Sequence, residues 1–197
     1  VVIGNPPYIS ALEFSNIYGN DTRADLNARY YSARGSYDIF VLFIERGLLL
    51  TATRGSLVFI TPNKYLSANY AVGLREFTLS QYALVNLVDL SSIRVFEEAA
   101  VYPIVSVIRN APEARIPINA LLPKRRDIDV FDPLEFVNVE VQRSMLKLLP
   151  ENIWGFLLSD KVDLLSKIVV GTSQLQNLGE VNATSTAGEA DAYGQHI

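Results

Sequence analysis

Apolar residues cluster in dense blocks over residues 1–110, and the spacing within each block predicts its form. Val1, Val2 and Ile3 make a short β-branched run that reads as the end of a buried strand, stopped at Gly4-Asn5-Pro6-Pro7-Tyr8. Residues 10–37 are polar and without a clear period, and Asn20-Asp21 and Arg34-Gly35-Ser36 are loop signals, so an irregular segment is expected there. Residues 38–53 open with Asp38 and are apolar nearly all round, which predicts a buried helix ended by Arg54-Gly55. A buried strand follows over residues 57–61, stopped by Pro62, and a helix over 70–81 carrying Val72, Leu74, Phe77 and Leu79. Residues 84–90 and 101–109 read as two more strands, with Pro103 tolerated near the start of the second. Strands and helices alternate, and the strands are apolar without alternation. That pattern predicts a mainly parallel α/β sheet covered on both faces, with an antiparallel final pair.

Beyond Asn110 the texture changes. Pro112, Pro117, Pro123 and Pro133 punctuate the chain, and helical patterns return at 139–149 and 160–169. Residues 182–194 are rich in Ala, Ser, Thr and Gly. We therefore divide the chain at the sequence level into 1–110, a connecting segment with helices over 111–170, and the opening of a further domain over 171–197. From a strand at residue 1 without an initiator Met, a piece of a longer polypeptide is expected.

Composition narrows the chemistry. Hydrophobic residues make up 49% and charged residues 19% of the 197, so the chain folds around a core. Lys plus Arg total 17 against 21 for Asp plus Glu, a net charge of −4, which excludes a module that holds nucleic acid by charge alone. Cysteine is absent, which excludes disulfides, thiolate metal sites and cysteine nucleophiles. The lone His196 has no companion ligands, so no metal site is expected. The longest apolar run, 39–44, is far short of a membrane span, and no charged leader precedes an apolar stretch; a cytoplasmic protein is expected.

The candidate chemistry sits directly after the first strand, where open α/β sheets place their ligands. An exocyclic amine on a purine is a poor nucleophile because its lone pair is delocalised into the ring. Two fixed acceptors, each taking one N–H, can hold that nitrogen nearer to tetrahedral with its lone pair aimed at a methyl donor. Asn5 offers a side-chain carbonyl and Pro6 a backbone carbonyl. The two prolines have fixed φ and no N–H, and Asn5 is held extended by the proline after it, so both acceptors are aimed in advance. Tyr8 offers a face for an extruded base. Such stacking contributes about 1–3 kcal/mol, against an extrusion cost of about a few kcal/mol.

These residues carry a resemblance. Val2-Ile3-Gly4-Asn5-Pro6-Pro7-Tyr8 is similar to the catalytic motif of SAM-dependent adenine-N6 DNA methyltransferases. The stretches 37–47 (from Tyr37-Asp38-Ile39-Phe40) and 55–64 (ending Thr61-Pro62-Asn63-Lys64) resemble the next two motifs of that family, in order. Val95-Phe96-Glu97-Glu98 opens a stretch similar to a later motif, and residues 153–180 resemble the approach to the target-recognition domain of type IIG restriction–modification enzymes. The resemblance implies the C-terminal half of a Rossmann-like SAM-dependent methyltransferase sheet followed by the start of a target-recognition domain. It implies Asn5 and Pro6 as acceptors of the adenine N6 hydrogens, Tyr8 and Phe96 packing on the flipped base, Phe43 near the adenosyl part of SAM, and double-stranded DNA as partner. The same Asn-Pro-Pro-Tyr pattern serves enzymes that methylate glutamine amides of proteins or guanine amines of ribosomal RNA, so these acceptors remain the alternative.

The chain departs from the family in one respect. None of its glycines forms a G-x-G pair. The glycine-rich turn and ribose-binding acid expected for SAM are therefore assigned to the remainder of the parent polypeptide, upstream of Val1, and residues 1–197 alone are expected to be inactive. Lys124-Arg125-Arg126 reads more simply as a solvated turn than as a phosphate clamp, and Phe43 more simply as core packing than as a cofactor contact.

Overall fold

The computed structural model describes residues 1–93, 95, 102–111, 116–125, 131–169, 171–173 and 177–179. Its centre is a six-stranded mixed sheet of β1 (Val2–Gly4), β2 (Ser56–Pro62), β3 (Ala83–Asp89), β4 (Pro103–Arg109), β5 (Ile118–Pro123) and β6 (Phe136–Val141), in the spatial order β1-β2-β4-β3-β5-β6. The antiparallel final pair is present, but β4 slots between β2 and β3 and runs antiparallel to both. Parallel pairing is confined to β1–β2 and β3–β5, while β5–β6 is antiparallel. The sheet is therefore mixed, not mainly parallel. A strand that returns antiparallel to its neighbour needs no helical crossover.

Five α-helices accompany the described strands: α1 (Ala11–Tyr18), α2 (Asn20–Arg29), α3 (Ile39–Leu49), α4 (Val72–Gln81) and α5 (Val162–Val169). Helices α3 and α4 cross between strands that run in the same direction, and right-handed crossovers put both on one face. That face holds the main core, in which Phe40, Ile44 and Leu48 of α3 and Leu74 and Phe77 of α4 pack over Leu57, Phe59, Leu84, Leu87, Ile104 and Ile108. Phe59 lies against two glycines. A Cβ on Gly4 would sit 3.0 Å from the Phe59 ring; one on Gly47 would sit 3.2 Å from it and 2.5 Å from Leu57. The missing side chains let α3 and the end of β1 close down on β2.

The opposite face departs from the expectation of cover on both sides. Ile60, Val88, Val105 and Leu121 there are only half-buried, around a small cluster with Leu90 and Phe136, and Ile3 at the sheet edge is 77% exposed.

Two stretches differ from their sequence reading. Residues 10–37 contain α1 and α2, not an irregular segment. Ser10 caps α1, its Oγ accepting from the Glu13 N–H at 3.2 Å, and Gly19 at φ 86° turns the chain between the helices. Residues 139–149 are not helical throughout. Val137, Val139 and Val141 alternate in β6, and a short 3-10 turn, Arg143–Lys147, follows. The helix read at 160–169 is present as α5.

Residues beyond Asn110 join the same core. β5 pairs with β3, and Ile118, Ala120, Leu122, Val141, Leu146, Trp154 and Leu157 lie in one cluster with the α3 residues. Trp154 is fully buried, donates Nε1–H to the Leu146 carbonyl at 3.1 Å, and gives its backbone N–H to Leu66.

Tyr65, in the 3-10 turn Asn63–Leu66 after β2, is buried with its hydroxyl 2.6 Å from Ser106 Oγ. Burial pushes its phenol up to about 12, partly offset by the Ser106 hydrogen bond. The folded state thus holds this proton more tightly than the unfolded chain, whose phenols titrate near ~10. The stabilisation is complete below that value and is lost as pH rises towards 12. Urea midpoints measured from pH 9 upward should fall over this window, and Tyr65→Phe should flatten the fall; parallel curves for the two proteins would contradict it.

Candidate functional site

Gly4 ends β1, and Asn5-Pro6-Pro7-Tyr8 leaves its carboxyl end beside the carboxyl end of the parallel neighbour β2. Asn5 is exposed, Pro6 is buried, Pro7 is exposed and Tyr8 is half-buried. The Tyr8 hydroxyl donates to the Ile60 carbonyl of β2 at 3.3 Å, and its ring stands edge-on to Phe40 of α3, centroids 6.3 Å apart at 74°. Burial pushes the Tyr8 phenol above its ordinary value, so it is neutral and a donor at neutral pH. Asn5 thus sits exposed in a short run in which Pro6 is buried and Tyr8 is held against β2 and α3.

The chain leaving Tyr8 is pinned as firmly. Ile39 N–H donates to the Ile9 carbonyl at 2.8 Å and Ala11 N–H to the Tyr37 carbonyl at 2.9 Å, which pairs Ser10 with Asp38 at the start of α3. Within α3, Phe40 faces the core while Phe43, one turn on, is 44% exposed. The simple core-packing reading of Phe43 is therefore wrong; the ring is on the outer side of the helix. Asn5, Pro6 and Tyr8 are contiguous and Phe43 lies on the helix that backs Tyr8. Phe96 lies outside the described residues. Lys124 Nζ donates to the Leu134 carbonyl and Arg125 pairs with Glu135 at 2.9 Å, both exposed, while Arg126 lies outside the described residues.

A family model for the Eco57I restriction-modification methylase matches residues 1–96, which take in β1, α1 to α4, β2 and β3. Residues 1–96, just under half of the chain, thus resemble that family. Among relatives of this methylase segment, the type II methyltransferase M.BstVI of Geobacillus stearothermophilus is 29% identical over 109 residues, 55% of this chain and 19% of that protein. The type II restriction enzyme and methyltransferase RM.Eco57I of Escherichia coli is 29% identical over 103 residues, 52% of this chain and 10% of that protein. The chain thus spans a fifth or less of these relatives. The type IIG restriction endonuclease BpuSI has the same fold, with a TM-score of 0.56 at 15% identity, over 100% of this chain and 28% of that one.

Several residues around Asn5-Pro6-Pro7-Tyr8 were given no site role from the sequence. Phe40 supplies the ring against Tyr8, Asp38 pairs with the motif's exit, and Tyr70 donates to the Asp38 carboxylate at 2.8 Å. Glu45 is buried in α3 and accepts the backbone N–H groups of Tyr31 and Ser32 at 3.0 and 2.8 Å, tying the end of the α1–α2 excursion to the core. Asp38, Phe40 and Glu45 fall in the stretch 37–47 that resembles a family motif, but nothing in that resemblance tied them to the Asn5–Tyr8 loop. Among the described residues no helix is long and apolar enough to cross a membrane.

Proposed function

We propose that this chain carries the target-amine site of a SAM-dependent DNA methyltransferase that modifies adenine N6 within a restriction–modification enzyme. The observation that carries the reading is the seating of Asn5-Pro6-Pro7-Tyr8 at the carboxyl end of β1 in a segment of the Eco57I methylase family. Asn5 and the Pro6 carbonyl accept the two N6 hydrogens of a flipped adenine and hold the nitrogen with its lone pair forward, and Tyr8 stacks on the ring. The family resemblance assigns Phe96, which lies outside the described residues, to the other face of the base. When bound, SAM would supply an electrophilic methyl to the N6 lone pair, the C–S bond breaking to leave the neutral thioether and the surplus N6 proton passing to solvent water. No residue of the chain becomes covalently attached, in keeping with the absence of Cys.

Fit to SAM is partial. The exposed ring of Phe43 suits contact with an adenosyl group, but no G-x-G turn is present to hold the rest. We assign that part to the remainder of the polypeptide, in line with the small share of each relative that the chain spans. The open edge at β1 and the half-buried second face of the sheet are where it would pack.

The intact polypeptide, given tritiated SAM with duplex DNA, ribosomal RNA and release factor in parallel, should label DNA. Label on RNA or protein alone would overturn the reading. Tyr8→Ala in that polypeptide should lower methyl transfer by about tenfold to a hundredfold, the stacking contribution of about 1–3 kcal/mol. Tyr8→Phe keeps the ring and loses the hydroxyl that bonds Ile60, so a small change is expected. Equal losses in the two variants would show that the hydroxyl, not the face, matters.

A further inference from the structure

The Asp38 carboxylate makes no cap to its own helix. It accepts instead from the Tyr70 hydroxyl, at 2.8 Å. Tyr70 belongs to the next crossover, in the short turn Asn69–Ala71 between β2 and α4. That crossover is held from behind by Arg75, fully buried in α4. Its Nη1 donates to the carbonyls of Tyr65 and Ala68 at 2.8 and 2.9 Å, and its Nε and Nη2 reach the Glu151 carbonyl at 3.3 and 3.2 Å. A continuous set of directed bonds therefore runs from a buried guanidinium through a braced loop to Tyr70, across to Asp38, and by the backbone ladder to Ser10, two residues beyond Tyr8. The motif leaves β1, but both ends of its loop are fixed by the β2 side: Tyr8 by the Ile60 carbonyl, Ser10 through Asp38 by Tyr70.

We infer that Tyr70 and Asp38 are positioning residues for the Asn5-Pro6-Pro7-Tyr8 motif, the phenol holding the carboxylate that registers the motif's exit against α3. The inference rests on the methyl-transfer reading above. Burial and the adjoining carboxylate both push the Tyr70 phenol up, so it keeps its proton and remains the donor at any assay pH near neutrality. The bond joins two half-buried groups at one point of the loop, and it is not part of the core that holds the sheet. Its larger effect is geometric, because a reacting amine tolerates little displacement of the groups that aim it.

The test uses the intact polypeptide. Tyr70→Phe should lower kcat for methyl transfer about tenfold, with KM for SAM and for DNA within about twofold and the melting temperature nearly unchanged. Asp38→Ala should do the same, Asp38→Asn should recover most of the rate because its carbonyl still accepts, and the double variant Tyr70→Phe with Asp38→Ala should be no slower than Asp38→Ala. An unchanged kcat in Tyr70→Phe, additive losses in the double variant, or a loss that tracks the folded fraction would each overturn the inference. If the unsubstituted polypeptide labels no DNA, the methyl-transfer reading fails by itself, and amide hydrogen exchange then decides the positioning role. Tyr70→Phe should speed exchange at the Ala11 and Ile39 amides about tenfold and leave the β3 and β4 amides alone. Unchanged exchange at Ala11 and Ile39 would contradict it.

Discussion

Asn5→Ala in the intact polypeptide is expected to lower methyl transfer by a factor on the order of a hundred to a thousand, as removal of one preorganised hydrogen-bonding group from a reacting centre does elsewhere. DNA binding should survive. Asn5 is exposed and follows a strand that its neighbours hold, with Pro6 buried and Tyr8 bonded to β2, so truncation leaves the loop in place. What is lost is one of two acceptors for the amine, and the remaining Pro6 carbonyl can orient a single N–H only. Single-turnover transfer of labelled methyl, measured beside a binding isotherm for the same DNA, separates the two effects. Lost binding with an unchanged rate per bound complex would contradict the role given to Asn5.

Trp154→Ala should have the largest effect on folding. Its ring is fully buried, where truncation of an aromatic costs about 3–5 kcal/mol, and its Nε1–H bond to the Leu146 carbonyl goes with it, leaving that acceptor unpaired. A domain has only about 5–15 kcal/mol of stability in all, so the variant should be partly unfolded or aggregation-prone at 37 °C. The loss bears on the site because Trp154 backs Leu66, in the loop that Arg75 braces under Tyr70. Urea unfolding of the 197-residue chain should show the midpoint of Trp154→Ala shifted strongly down with a similar slope. A loss below about 1 kcal/mol would mean that residues beyond Asn110 do not share the core of residues 1–110.

The buried strands were legible because they are β-branched runs: β2, β3 and β4 lie within a few residues of their reading. Their order was not. That β4 inserts between β2 and β3 is decided by pairings between distant segments, which no local pattern records. Helix α2 was illegible for a different reason. It is polar all round and buries no residue, so it lacks the stripe that marks an amphipathic helix. The spacing of Ser10 and Glu13 was the available signal for α1. In β6 the Val-x-Val-x-Val alternation was read at helical period.

At the site, the position of Asn5-Pro6-Pro7-Tyr8 after a strand was legible because the apolar run and the prolines are adjacent in sequence. The partners of the motif were not. Phe40, Asp38 and Tyr70 reach it only through the crossovers, and Asp38 and Tyr70 are thirty-two residues apart. Phe43 illustrates the limit of an all-apolar helix, whose outward residue cannot be told from its inward ones by composition.

The central claim is that the two oxygens beside Tyr8 serve an adenine amino group. Its most direct test is mass spectrometry of the nucleosides released from duplex DNA after incubation with the intact polypeptide and SAM. We expect N6-methyladenine, absent when Asn5→Ala replaces the unsubstituted protein; methyl groups on any other base, or N6-methyladenine formed equally well by the variant, would contradict the account.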